Sequence, residues 1–146
     1  MDRQERIDTT RDLSTFANVV RHYQTYTKKA LQGYHFTPNE VATMIFLLEE
    51  TDMDTAKEFS NKYGVTQSLV CRSVDSLTRR KLITAEQDRL DRRVNHLSLN
   101  LDDENLEKIL TELNCQYMDT LMEGINKEDR ETFLRVLRTI QDRISE

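Results

Sequence analysis

Apolar side chains recur at Leu13, Phe16, Ala17, Val20, Tyr23 and Leu31, a mostly i, i+3, i+4 series that predicts an amphipathic helix ending near Gly33. Thr37-Pro38-Asn39-Glu40 then predicts a sharp helix start. Thr37 is the N-cap, Pro38 takes the first helical position where its missing N–H costs nothing, and Glu40 closes a capping box. Val41, Met44, Ile45 and Leu48 form the apolar stripe of this second helix, which is expected to run to about Glu50. Thr55 and Glu58 repeat the capping-box spacing and open a short helix through Phe59 to Tyr63, which Gly64 can end in the left-handed conformation. Thr66 is placed to cap a third segment in which Val70, Val74 and Leu77 share one face, leaving Gln67, Ser68, Cys71 and Arg72 mostly on others.

After Lys81 the period changes to two. Residues 82–87 and 94–99 read as short strands flanking a charged tip, Asp88-Arg89-Leu90-Asp91-Arg92-Arg93, which contains no Gly and can project as an arm. Asn100 with Asp103 is expected to cap the next helix, whose apolar face runs through Leu106, Ile109, Leu110, Leu113, Tyr117 and Leu121 until Gly124 breaks it. Asn126 then caps a last helix with a narrow seam at Phe133, Leu137, Ile140 and Ile144. The expected fold is mainly α with a small β-hairpin wing (α+β). A winged helix-turn-helix lobe is expected over residues 37–100, and a helical dimerisation region over 1–36 and 101–146.

Charge changes what this pattern means. The chain of 146 residues carries a net −5, which on its face argues against a polyanionic partner. Between Arg72 and Arg93, however, seven Lys or Arg stand against four Asp or Glu, a local +3 that leaves −8 for the rest. A basic island therefore coincides with the second of the short helices and the hairpin, within a chain that is acidic overall. A short helix, a Gly turn, a second helix with a polar N-terminal face and a basic hairpin are the parts of a DNA reader. At the second helix, Thr66, Gln67, Ser68, Cys71 and Arg72 are the candidate contacts: Arg72 can pair with guanine O6 and N7, and Gln67 prefers adenine. On the wing, Arg89, Arg92 and Arg93 can reach phosphates or the neighbouring minor groove, and Asp91 is read as the carboxylate that orients an arginine.

Other chemistries find little support. The longest apolar run, Met44 to Leu48, falls far short of the roughly 20 residues of a membrane span, and residues 1–10 lack the apolar stretch of a secretory signal, so a cytoplasmic protein without a membrane partner is expected. There is no Gly-rich phosphate loop, no G-x-S-x-G and no H-E-x-x-H, so no enzyme is expected. Cys71 and Cys115 are read as reduced thiols acting as small packing residues, and His22, His35 and His96 show no ligand spacing; neither a metal nor a cofactor is expected. A winged-helix module used only for protein contacts is the alternative, and the arginine-tipped wing argues against it.

The motifs also resemble, in order from about Leu13 to Ile144, those of the MarR family of multiple-antibiotic-resistance regulators. Phe36-Thr37-Pro38-Asn39-Glu40 resembles that family's L-T-x-x-[EQ] start of the second helix, and Tyr63-Gly64-Val65-Thr66-Gln67-Ser68-Leu69-Val70 its helix-turn-helix. Val74-Asp75-Ser76-Leu77 with Leu82-Ile83 is similar to V-D-x-L…G-L-[IV], and residues 88–93 to the D-x-x-D-R-R wing, the most specific piece. Lys81 stands where the family has a glycine, and Asn100 where it has threonine. The resemblance implies a homodimeric transcription regulator, expected to repress, that binds a pseudo-palindromic double-stranded DNA operator. The first and last two helices would interlock in the dimer. A small phenolic or anionic effector is implied too, and His22, Tyr23, Tyr26 and Tyr34 are the candidate lining of its pocket.

Overall fold

In the computed structural model, which describes residues 1–145, the first helix α1 (Arg3–Ala30) begins ten residues before the apolar series does. A capping box explains the early start: Glu5 N–H donates to Asp2 Oδ1 (2.9 Å) and Asp2 N–H donates to Glu5 Oε2 (2.7 Å). The first turns are held locally and bury nothing, so no apolar period marks them.

Helices α2 (Pro38–Glu49), α3 (Ala56–Tyr63) and α4 (Gln67–Arg79) follow. The capping boxes expected at Thr37/Glu40 and Thr55/Glu58 are both present, and Gly64 ends α3 in the left-handed conformation at φ 63°. In α2 the buried face is Val41, Met44, Ile45 and Phe46, whereas Leu48, expected in the stripe, lies at the surface. Strands β1 (Ile83–Gln87) and β2 (Asn95–Leu99) form an antiparallel hairpin that pairs Ile83 with Leu99 and Ala85 with Leu97. The outer edge of β2 gains one further backbone bond, from Leu97 N–H to Asp54 O (2.8 Å), which joins the hairpin to the loop before α3.

Helix α5 (Glu104–Leu121) is capped by Asp103 alone, whose Oδ1 accepts from Asn105 and Leu106 N–H; Asn100 instead gives its N–H to Leu82 O. Helix α6 (Lys127–Ser145) is capped by Asn126, as expected. The chain divides into two compact units, residues 1–113 and those from 114 on. In the first, Leu31, Val41, Met44, Ile45, Leu77, Ile83, Leu97, Leu106, Leu110 and Leu113 form the main core, and Phe46, Phe59 and Val70 a second cluster. In the second, α6 buries none of its described residues and exposes Phe133, Leu134, Val136, Ile140 and Ile144. Among the described residues, no helix is long and apolar enough to cross a membrane.

Lys81 shows what its departure from glycine costs. The chain leaves α4 through a tight turn in which Lys81 N–H bonds Thr78 O and Leu82 N–H bonds Leu77 O, and this forces Lys81 to φ 61°. A side chain in that region is disfavoured by about 1–2 kcal/mol, partly offset by the extra unfolded-state freedom of a glycine. Lys81→Gly is therefore expected to raise the urea midpoint, by about 0.5–1 kcal/mol of stability, and an unchanged or lower midpoint would contradict the assigned strain.

Candidate nucleic-acid interface

The second short helix owes its pose to the turn before it and the core behind it. Gly64 lets the chain reverse within two residues, and Ser60 Oγ donates to Val65 O (2.6 Å) to brace the reversal. Val70, Ser73 and Leu77 are buried against the lobe, so Gln67, Ser68, Cys71 and Arg72 all lie on exposed surface. The structure thus brings the candidate base-contacting residues together near one end of α4. Thr66 stands at the N-cap position, but its side chain makes no capping bond; its Oγ1 instead lies 3.4 Å from Ser68 Oγ. Both cysteines are exposed, which corrects their reading as packing residues.

At the wing, the turn is built by its own carboxylates. Asp88 Oδ1 accepts from the N–H groups of Leu90 (2.8 Å) and Asp91 (2.7 Å), and Gln87 Nε2 donates to Arg92 O (2.6 Å). Asp91 Oδ1 accepts from Arg93 N–H (3.0 Å) and from Arg93 Nε (3.2 Å). Arg89, Arg92 and Arg93 all project into solvent.

Sequence reasoning missed the anchor of this turn. His96 on β2 lies between two carboxylates, Nδ1 2.7 Å from Asp54 Oδ1 and Nε2 3.1 Å from Asp88 Oδ2. The bonds to Asp54 and then Asp88 push His96 up to about 9, so it is charged at neutral pH. Asp88 is held down to about 2, first by the Asp91 N–H and then by His96. His96 and Asp54 are 42 positions apart, a distance that no local pattern spans.

Arg80, at the C-terminal end of α4, was missed as well. Its guanidinium donates to Tyr34 O (2.7 Å) and sits 4.0 Å over the Phe36 ring, which stacks on Tyr34. The end of α4 is thereby tied to the α1–α2 connection. Of the four candidate effector residues, Tyr23, Tyr26 and Tyr34 pack on the main core and His22 is exposed on α1. Tyr34 Oη also donates to Asp103 Oδ2 (2.9 Å) and accepts from Asn105 Nδ2 (3.1 Å). An open groove of about 710 Å³ lies beside them, lined not by these four but by residues including Arg21, Thr25, Lys28, Gln32, His35 and Phe36.

Comparison with known proteins agrees with this geometry. Residues 36–94 match the sequence profile of the MarR family. Among solved structures, a MarR family protein from Bacillus stearothermophilus is 24% identical, with 100% of this chain and 99% of that one covered at a TM-score of 0.72. Staphylococcus aureus MepR, solved as a complex with DNA, is 19% identical over 88% of this chain and 95% of its own, at a TM-score of 0.74. Bordetella bronchiseptica BpsR, whose DNA binding is regulated by 6-hydroxynicotinic acid, is 15% identical over 87% and 96%, at a TM-score of 0.67. Residues 36–94 thus match the profile of the MarR family, and over the whole chain the fold is that of solved proteins of this family.

Proposed function

We propose that this protein is a homodimeric repressor that reads a pseudo-palindromic operator in double-stranded DNA. The observation that carries this reading is the joining, in one lobe, of an exposed polar end of α4 and an arginine-tipped wing within an otherwise acidic chain. The major groove admits one helix, and Gln67, Ser68, Cys71 and Arg72 occupy the end that reaches base edges, with Thr66 beside the phosphates. Arg89, Arg92 and Arg93 extend the contact to the adjacent backbone or minor groove. The lobe spans residues 37–100 in this reading, and 1–36 with 101–146 join the subunits.

Unburied apolar surface supports the dimer. Leu13, Phe16 and Val20 on α1 are each more than half exposed, and α6 exposes five large apolar residues. Surfaces of this kind are costly to leave in water, and a second copy covers them by two-fold symmetry. That symmetry sets the two reading helices roughly 34 Å apart, one DNA turn. The groove beside α1 is lined by Arg21, Lys28 and Lys29 as well as Phe36, a lining suited to a small aromatic carboxylate. 6-Hydroxynicotinic acid, which regulates BpsR, is a ligand of that chemistry. A cytoplasmic location follows from work on the chromosome.

The test is selection of duplexes from a random pool, followed by anisotropy titration of a recovered site over a range of salt. Affinity is expected to fall linearly on a log–log salt plot, and Arg72→Ala to cost about 1–3 kcal/mol with the dimer intact. Failure to enrich any sequence, together with a flat salt profile, would instead favour a protein-contact module.

A further inference from the structure

We propose that His96 is a positioning residue for the wing: held between Asp54 of the loop before α3 and Asp88 at the root of the wing turn, it fixes the pose in which the arginine tip meets DNA. The inference rests on the reading that the wing contacts DNA. The hairpin cannot set this pose unaided, because two strands alone are marginal in water and the tip carries no tight Gly turn. A continuous polar run does so instead.

At its inner end, Asp54 N–H donates to Glu58 Oε2 (3.0 Å), so the α3 capping box fixes the loop, and Asp54 O takes the Leu97 N–H beside His96. At its outer end, Asp88 spends one oxygen on His96 and the other on the N–H groups of Leu90 and Asp91. Asp91 then holds the backbone and Nε of Arg93. The run therefore passes from α3 to the guanidinium at the tip. Two carboxylates facing the two ring nitrogens require two N–H donors, which only the imidazolium supplies. All three groups are partly exposed, and ion pairs of that kind add little to stability, so the consequence lies in geometry. Remove the cation and Asp54 faces Asp88 with nothing between them.

The charged groups around His96 are Asp54, Glu58 on α3, Asp88 and, across the strands, Glu86. All are acidic, and all favour the charged ring. A group raised in this way contributes fully below the ordinary histidine range and loses its contribution as pH rises through about 9.

The experiment compares the native protein with His96→Gln and His96→Ala, using a duplex that the native protein recovers from a random pool, by anisotropy from pH 7 to 10. Both variants are expected to bind about tenfold more weakly at pH 7, with unchanged dimer and thermal midpoint. The native advantage over His96→Gln should vanish as pH passes about 9. In the free protein, the amide resonances of Leu90, Asp91 and Arg93 should follow the His96 titration. Native-like affinity in the variants, or parallel pH profiles, overturns the inference while leaving DNA binding intact. Recovery of no duplex by the native protein overturns the functional reading and, with it, this role of His96; tip amides indifferent to the titration overturn the clamp itself.

Discussion

Phe46→Ala is expected to lower folding stability by about 3–5 kcal/mol, a large share of the roughly 5–15 kcal/mol that holds a domain together. Phe46 is fully buried in a cluster of three mutually contacting rings, edge-on to Phe59 at 5.2 Å and to Tyr63 at 6.2 Å. Phe59 and Tyr63 belong to α3, and Val70 of α4 joins the same cluster, so the ring of an α2 residue holds both α3 and α4 in place. Truncation leaves a cavity that rigid helices fill only in part, which adds to the lost transfer energy. Phe46→Leu keeps most of the apolar volume and should cost much less, about 1–2 kcal/mol. The check is urea unfolding at one fixed protein concentration, since dimerisation also raises apparent stability. A midpoint shifted by less than about 1 kcal/mol for the alanine variant would mean the cluster relaxes far more freely than its burial implies.

What could be read in advance, and what could not, divides along sequence separation. Thr37, Pro38 and Glu40 announced α2 because a capping box is closed within four residues, and Gly64 announced its turn because the backbone itself demands a positive φ there. The hairpin followed from a period of two, and Asp91 with Arg93 from their adjacency at its tip. The start of α1 is not marked by any apolar period, because nothing is buried there, although its cap is equally local and Asp2 and Glu5 carry the signature. Leu48, the last residue of the α2 stripe, lies at the surface although Val41, Met44 and Ile45 are buried, and Phe46, outside the stripe, is buried as well. His96 between Asp54 and Asp88, and Arg80 on Tyr34 and Phe36, depend on partners brought together by folding, 42 and 46 positions apart for the longer links. Thr66 has the residue type of a cap, yet its Oγ1 makes no capping bond and lies 3.4 Å from the Ser68 hydroxyl oxygen. The composition of the site was legible; its supports were not.

Replacing Arg92 and Arg93 together by alanine is expected to weaken operator binding by about 2–6 kcal/mol, the sum of two contacts of about 1–3 kcal/mol each, with the lower half favoured because adjacent residues share their surroundings. Neither side chain is part of the core, and that of Arg93 is 91% exposed even while bonded to Asp91, so fold and dimer should be unaffected. That bond uses Nε and leaves the two terminal nitrogens of Arg93 directed outward as donors. Two outcomes separate how the pair acts. If the arginines serve only as charges on phosphates, the double lysine variant restores most of the affinity and keeps the salt slope, while the alanine variant flattens it by about two. If they enter a narrow minor groove, where a planar, weakly hydrated guanidinium fits and an ammonium does not, lysine restores the slope but not the affinity. The orienting bond from Asp91 favours the second outcome, because a charge that acts on phosphates at a distance gains little from a fixed pose, whereas insertion into a groove depends on one.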